Sequence, residues 1–432
     1  MEVTVVLEKN INKFEIADGV DFIYIKSDKF KTFQIYCSFF VPLEKHTVSE
    51  YAILAGILEC ACKKFPNFID FNKHLEKLYG ASIDGISSKI GDYQVISISA
   101  EALDDRFTFE KCNNIERTID LFYEVIFKPL AEKKKFEEKF VEQSKRFLIE
   151  HIESEKLDKK TWALLQCERF MCENQKSSIP KYGYINDLKK ISSSDAYSAY
   201  ENMLKKSRIE LLVTGNLPNE QEVFESFKKN ILKIEREKCF DFKTKIISEV
   251  CSIKEKKEKM EVEQCKLVMG FRTGVAGYNS NFVKMMVFCS LLGGIPTSKL
   301  FLNVREKLNL CYYCSAKYDK STGNVFIESG VSFENIDKAR TEIFHQIDLM
   351  KNGNISEEEI DITKKYLIQR LFSINDKIST MSEWYANQFP YGILESPEEF
   401  LKKIQNINLK DIISCAKQIQ LDTVYVLTGK NV

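Results

Sequence analysis

The sequence predicts an α+β protein made of two similar domains, and three observations carry that expectation. The chain has 432 residues, more than a single hydrophobic core ordinarily organises. Strand-like and helix-like segments alternate along it. The order of those segments in the first half recurs in the second.

In the first half, residues 22–25 and 33–40 are rich in aromatic and β-branched side chains and predict strands. Helices are expected over 50–62 and 71–78, and an alternating strand over 95–100. Three helical stretches follow at 109–126, 134–155 and 160–174, and a strand at 209–214 closes the half. In the second half, 266–271 predicts a strand and 280–292 and 297–307 predict helices. Residues 311–318 and 324–331 read as a hairpin, 334–349 and 356–388 as helical, 409–418 as a helix and 423–428 as a closing strand. The repeat is visible in short matches. Ile191 to Asp195 precedes a helix and then Leu211 to Gly215; Ile407 to Asp411 precedes a helix and then Tyr425 to Gly429. Lys145 to Leu148 has its counterpart at Lys365 to Ile368. The expected domains are 1–220 and 263–432, with a charged linker region at 221–262.

Composition narrows the function. Hydrophobic residues at 44% and charged residues at 29% fit a soluble globular protein. Lys plus Arg and Asp plus Glu both number 63, so no global field draws the chain to nucleic acid or an anionic membrane. The Lys254–Lys259 run alternates Lys with Glu and reads as solvated surface. Residues 1–10 lack a basic start followed by an apolar block. No apolar run reaches the roughly 18 residues that span a bilayer. A cytoplasmic protein is expected, and its thirteen scattered cysteines should be reduced thiols. Cys311 and Cys314 form a Cys-x-x-Cys with neither a second ligand pair nor an evident helix N-terminus, so coincidence is the expectation. Cys60 and Cys62 stand too close for half of a usual zinc clip.

The most specific stretch runs from Leu292 through Gly293, Gly294 and Pro296 to Phe301, and on through Val304, Arg305, Glu306 and Lys307 to Tyr312. Leu300, Val304 and Leu308 share one face of a helix. Asn309 suits a helix C-terminal cap in the left-handed conformation. A strand starting just beyond would let Arg305 and Tyr312 approach each other across the turn. There they can donate hydrogen bonds to a peptide carbonyl. The plainer alternative is an Arg paired with a local Glu and a Tyr packed in a sheet.

This stretch resembles the second-domain signature of the pitrilysin/insulinase-type (inverzincin) zinc peptidases, the family of the mitochondrial processing peptidase. Lys63 to Pro66 and Leu75 to Ala81 fit the family's first-domain motif region. The resemblance spans essentially the whole chain. It implies two domains, each a mostly antiparallel sheet covered by helices, facing each other across a chamber. It also implies substrate-backbone binding by Arg305 and Tyr312, with Gly293 and Gly294 in the substrate-side turn.

The family's metal motif, H-x-x-E-H on a helix, is missing. Two His four apart share a metal and the Glu activates its water. The register places Ala52, Ala55 and Gly56 at those positions, His151 at the distal ligand and Ser144 at its supporting acid. The chain has only four histidines, His46, His74, His151 and His345, and the closest two are 28 residues apart. A mixed site would have to join Cys60, Cys62 and His74. No G-x-S-x-G elbow, P-loop or dinucleotide fingerprint appears.

The resemblance therefore implies a non-catalytic subunit of a heterodimeric metallopeptidase. It would not be a peptidase on its own and would bind no cofactor; zinc is expected in a homologous zinc-bearing partner. The substrate would be a peptide or unfolded polypeptide, with no nucleic acid and no membrane involved. The alternatives are a non-proteolytic scaffold or peptide-binding protein of the same fold, and a hydrolase with an unrecognised site.

Overall fold

A computed structural model describes residues 5–8, 10–110, 112–240 and 242–429. The reading of residues 1–10 thus falls partly outside the described residues. Two compact units emerge. The first takes residues up to Ile152, then Ile179–Lys243 and Asn375–Pro390. The second takes Glu153–Ser178, Thr244–Ile374 and the chain from Tyr391 on.

The first unit is built on seven strands: β1 (Val5–Glu8), β2 (Ile11–Ala17), β3 (Val20–Lys26), β4 (Thr32–Pro42), β5 (Ser82–Ile90), β6 (Tyr93–Leu103) and β9 (Arg208–Gly215), in the order β1-β2-β3-β9-β4-β6-β5. A small ribbon, β7 (Ala131–Glu132) with β8 (Lys135–Phe136), stands apart. Every pair in the large sheet is antiparallel except β3 with β9. One sheet face, including Ile209, Leu211 and Val213, joins the apolar core with Phe122, Ile126, Ala199 and Met203 from the covering helices. Alternation along β9 sends Arg208, Glu210 and Thr214 to the other face.

The second unit holds β10 (Lys254–Lys259), β11 (Cys265–Arg272), β12 (Cys311–Asp319), β13 (Asn324–Val331) and β14 (Gln420–Thr428), in the order β10-β14-β11-β13-β12. Again one pair, β10 with β14, is parallel and the rest are antiparallel. The expected surface run Lys254–Lys259 is an edge strand. Its charges remain largely exposed, a common way of blunting a sheet edge. The helix Lys159–Met171 closes one face of this sheet, with Ala163, Cys167 and Met171 against Val268, Phe326, Tyr425 and Leu427.

The sequence repeat has a structural counterpart. Ser192 and Asp195 form a capping box at the start of helix Ser193–Lys206, which leads into β9. Asn408 and Asp411 do the same for helix Leu409–Gln418, which leads into β14. Each strand so introduced makes its sheet's parallel pair.

Several expectations are corrected. The helix expected over 50–62 is two short helices, Val48–Ala52 and Leu54–Leu58. The chain then leaves the helix so that Cys62 can bridge Phe65 and Pro129. The stretch 356–388 breaks into Glu357–Ile374 and Ile378–Ala386 around Asn375 and Asp376, residues that favour turns. Strands β2 and β5 and helix Pro397–Gln405 were not expected. β5 is a polar edge strand without a clean alternating pattern. No helix among the described residues is long and apolar enough to cross a membrane.

Candidate functional site

Helix Phe282–Cys289 runs into a widened helical turn, Ser290–Gly294, and a second widened segment spans Phe301–Lys307. Gly293 is where the first segment lies directly on β12. A Cβ there would stand 2.5 Å from the Ala316 backbone nitrogen and 2.8 Å from its Cβ. Gly294 is exposed, and a Cβ would meet nothing nearer than 3.4 Å. Only the first glycine of the pair is required by packing.

In the second segment Leu300 and Val304 are buried, as the helical phase predicts. Leu308 is not, at 45% exposure. The cause is the wider turn: the Leu308 N–H donates to the Asn303 carbonyl at 3.1 Å, five residues back, which rotates the face by most of a residue. The Leu310 N–H closes the end on the Val304 carbonyl at 3.0 Å, and Asn309 takes φ +49°, the left-handed conformation expected of it. β12 starts at once, with a bulge: Cys311 faces Val331 and Tyr313 faces Gly330, leaving Tyr312 as the extra residue.

That bulge turns Tyr312 outward, to 68% exposure. The Arg305 side chain is 41% exposed, with its guanidinium carbon 4.7 Å from the Phe301 ring centroid and its Nε 3.5 Å from a Glu306 carboxylate oxygen. A long surface contact of that kind contributes little to stability. No hydrogen bond joins Arg305 to Tyr312. The left-handed turn separates them in sequence, and both carry donors able to engage a carbonyl or carboxylate.

The positions that would bear the metal motif lie in the first unit. Ala52 and Ala55 are buried. A Cβ on Gly56 would stand 2.8 Å from the Ser144 Oγ, and that hydroxyl donates to the Ile53 carbonyl at 2.9 Å. From the other side Gly85 of β5 presses on the same turn, where a Cβ would stand 2.3 Å from the Ala55 carbonyl oxygen. The Gly85 N–H donates to Glu59 Oε2 at 2.6 Å, and burial raises the Glu59 carboxyl above its ordinary pKa. Ser144 and Gly56, placed at one site by sequence register, thus do meet, but close backbone packing occupies the space a metal and its ligands would need.

His151 is exposed and lies edge-on to Phe147 at 4.5 Å. His74 stacks on Phe65, and the Cys60 thiol, pushed up to about 12 by burial, donates to the Gly56 carbonyl. Among the described residues no group of three His, Cys, Asp or Glu is placed to hold a metal ion. These residues do not fit zinc.

Comparison with known proteins agrees with this arrangement. The family model described as Peptidase M16 inactive domain matches residues 190–367, the span that holds Gly293, Arg305 and Tyr312. Over 405 residues, 94% of this chain and 95% of the relative, the sequence is 30% identical to the probable inactive metalloprotease YmfF of Bacillus subtilis strain 168. The chain belongs to the peptidase M16 family. Its fold matches the crystal structure of a conserved protein from Enterococcus faecalis V583 with a TM-score of 0.88, at 26% identity, over 98% of this chain and 100% of that one. A more distant relative, the uncharacterized zinc protease YmxG of B. subtilis strain 168, is 25% identical over 164 residues, 37% of this chain and 40% of its own. This M16 chain therefore carries the pitrilysin/insulinase-type fold that its signature resembles.

One group escaped the sequence reading. Glu210, in the centre of the first sheet, is buried, and neither carboxyl oxygen has a hydrogen-bond partner. Burial, and then the nearby Asp21 carboxylate, push its pKa well above the ordinary value; Lys13 and Arg208 oppose that shift. Both cations already engage Asp21, at 3.2 and 3.4 Å. The available signal was an acidic residue inside the otherwise apolar strand Ile209 to Val213.

Proposed function

We propose that this chain is the non-catalytic subunit of a two-chain, cytoplasmic M16 metallopeptidase. Arg305 and Tyr312 would hold the main chain of a peptide or unfolded polypeptide, in trans, for zinc carried by a homologous subunit. The observation that carries this reading is one-sided preservation. An exposed Tyr and a half-exposed Arg stand on either side of the Asn309 turn, while the motif positions 52, 55 and 56 hold no ligand and the last two are closed by Gly85 and Ser144. A well-placed donor to a polarised carbonyl contributes about 2.7–4 kcal/mol to lowering the barrier, and fixing the substrate adds positioning. That B. subtilis has one relative named as an inactive metalloprotease and another named as a zinc protease supports a division of labour between two chains.

The test is a mixing assay with a zinc-bearing M16 subunit from the same genome. Peptide cleavage should appear, or rise steeply, only when both chains are present. If a complex forms and cleavage is independent of this chain, the reading fails, and the non-proteolytic scaffold or peptide-binding protein replaces it.

A further inference from the structure

The bulge that exposes Tyr312 also brings together the two thiols dismissed as coincidence in the sequence. In an undistorted strand, residues three apart point to opposite faces of the sheet. The extra residue between Cys311 and Tyr313 cancels one step of that alternation, so Cys311 and Cys314 return to the same side. There the two thiols hydrogen-bond to each other, and each also contacts the Ser329 side chain from β13. Both are sheltered, at 7% and 3% exposure, with the exposed Tyr312 between them.

We propose that Cys311 and Cys314 are a reversible dithiol–disulfide site, oxidised by hydrogen peroxide or a small organic peroxide, with Cys311 the attacking thiol and Cys314 the resolving one. The roles follow from the surroundings. The Cys314 thiol donates to the Cys311 sulfur, and the Arg305 guanidinium adds positive charge beside it; the Ser329 hydroxyl donates to the Tyr313 carbonyl at 3.0 Å. The Cys314 thiol and the Arg305 charge both favour the thiolate of Cys311. Cys314 is the deeper of the two, and its own thiol is held protonated by the Cys311 sulfur it faces and by burial.

The chemistry balances. The Cys311 thiolate attacks one peroxide oxygen and the O–O bond breaks. The departing hydroxide leaves as water after taking a proton from solvent, and Cys311 becomes a sulfenic acid. The Cys314 sulfur then attacks the Cys311 sulfur as its S–O bond breaks. The second hydroxide takes the Cys314 proton and leaves as water. Two thiols and one hydrogen peroxide give one disulfide and two waters; with an organic hydroperoxide the first leaving group departs as its alcohol, giving one disulfide, one alcohol and one water. A small dithiol reverses the change by exchange.

The test uses the full, reduced chain. Limited hydrogen peroxide is added, remaining thiols are blocked and peptides are mapped by mass. Cleavage after Lys307 and Lys317 leaves both cysteines in one peptide. That peptide should lose two hydrogens at least about tenfold faster than the exposed Cys251 is oxidised, and dithiothreitol should restore it. Cys314→Ser should stop at a Cys311 sulfenic acid that dimedone captures, whereas Cys311→Ser should leave residue 314 unlabelled. The proposal is overturned if Cys251 oxidises first in the folded chain, if the peptide loses two hydrogens only after denaturation, or if Cys311 runs on to the sulfinic acid with no disulfide formed.

Discussion

Gly56 and Ser144 lie so close that a Cβ on the glycine would stand 2.8 Å from the serine hydroxyl. The contact turns the loss of a metal motif into a packing commitment. Restoring the motif letters with Ala52→His, Ala55→Glu and Gly56→His should therefore not restore the metal. The new side chains would enter a buried turn pressed by Gly85 and held by the Ser144 hydrogen bond. Overpacking and unpaired polar atoms there should together cost upwards of about 2 kcal/mol. Zinc content after dialysis and thermal unfolding check this. One tightly held zinc per chain with an unchanged melting temperature would show that the turn opens more readily than the packing implies.

The two signature glycines should separate by experiment. Gly293→Ala drives a Cβ into Ala316 of β12 and should destabilise the chain by about 1–3 kcal/mol. Gly294→Ala meets ordinary van der Waals contacts and should change stability by less than about 0.5 kcal/mol. Urea unfolding of both variants measures the difference. Equal losses would mean that the widened turn, and not the strand contact, sets the requirement.

The sequence made the alternation of strands and helices legible because most core strands, such as Ile209 to Val213, are apolar and bounded by turn residues. The capping residues Ser192 and Asn408 marked the repeat for the same local reason. What stayed hidden depends on distant partners. β5 reads as a polar loop because it is an edge strand whose outward residues need no core. Helix Lys159–Met171 belongs to the first half by order but packs on the second sheet, where Gly270 leaves room for the Met171 sulfur. Asn309 was readable as a left-handed cap. The bulge beside it, which decides where Tyr312 and both thiols point, depends on pairing with β13 and leaves no mark in the spacing.

Arg305 and Tyr312 should matter to an assembly and not to the fold. In the mixed peptidase, Arg305→Ala should lower kcat/KM by about a hundredfold or more, and Tyr312→Phe should lower it by a smaller factor of similar origin. Both side chains are substantially exposed, so the melting temperature of the isolated chain should barely move. Rate loss accompanied by an equal loss of stability would assign them a structural part instead.

Arg305 should also be felt by Cys311. Its charge favours the thiolate, so Arg305→Ala should shift the pH dependence of Cys311 alkylation by iodoacetamide upward. Less thiolate at neutral pH means slower modification of that peptide, with Cys251 as the internal reference. An unchanged profile would leave the Cys314 hydrogen bond as the cause.

Glu210 should give the stability of the chain a pH slope of unusual sign for a carboxylate. Its folded pKa is raised, by burial first and by Asp21 second, above the unfolded value of about 4.3. A group raised in this way favours the fold most below the unfolded value, where it is protonated in both states. That contribution is lost as pH rises through the folded value, because the unfolded chain ionises first. Glu210→Gln keeps the shape and removes the ionisation. Its unfolding free energy should exceed that of the parent by a margin that widens as pH rises above the unfolded value, reaching on the order of 1–3 kcal/mol, the cost of a buried group without partners. Urea unfolding at a series of pH values measures the margin. If Glu210→Gln is instead less stable at the alkaline end, the carboxylate is ionised and held by Lys13 and Arg208, and Asp21 is not their dominant partner.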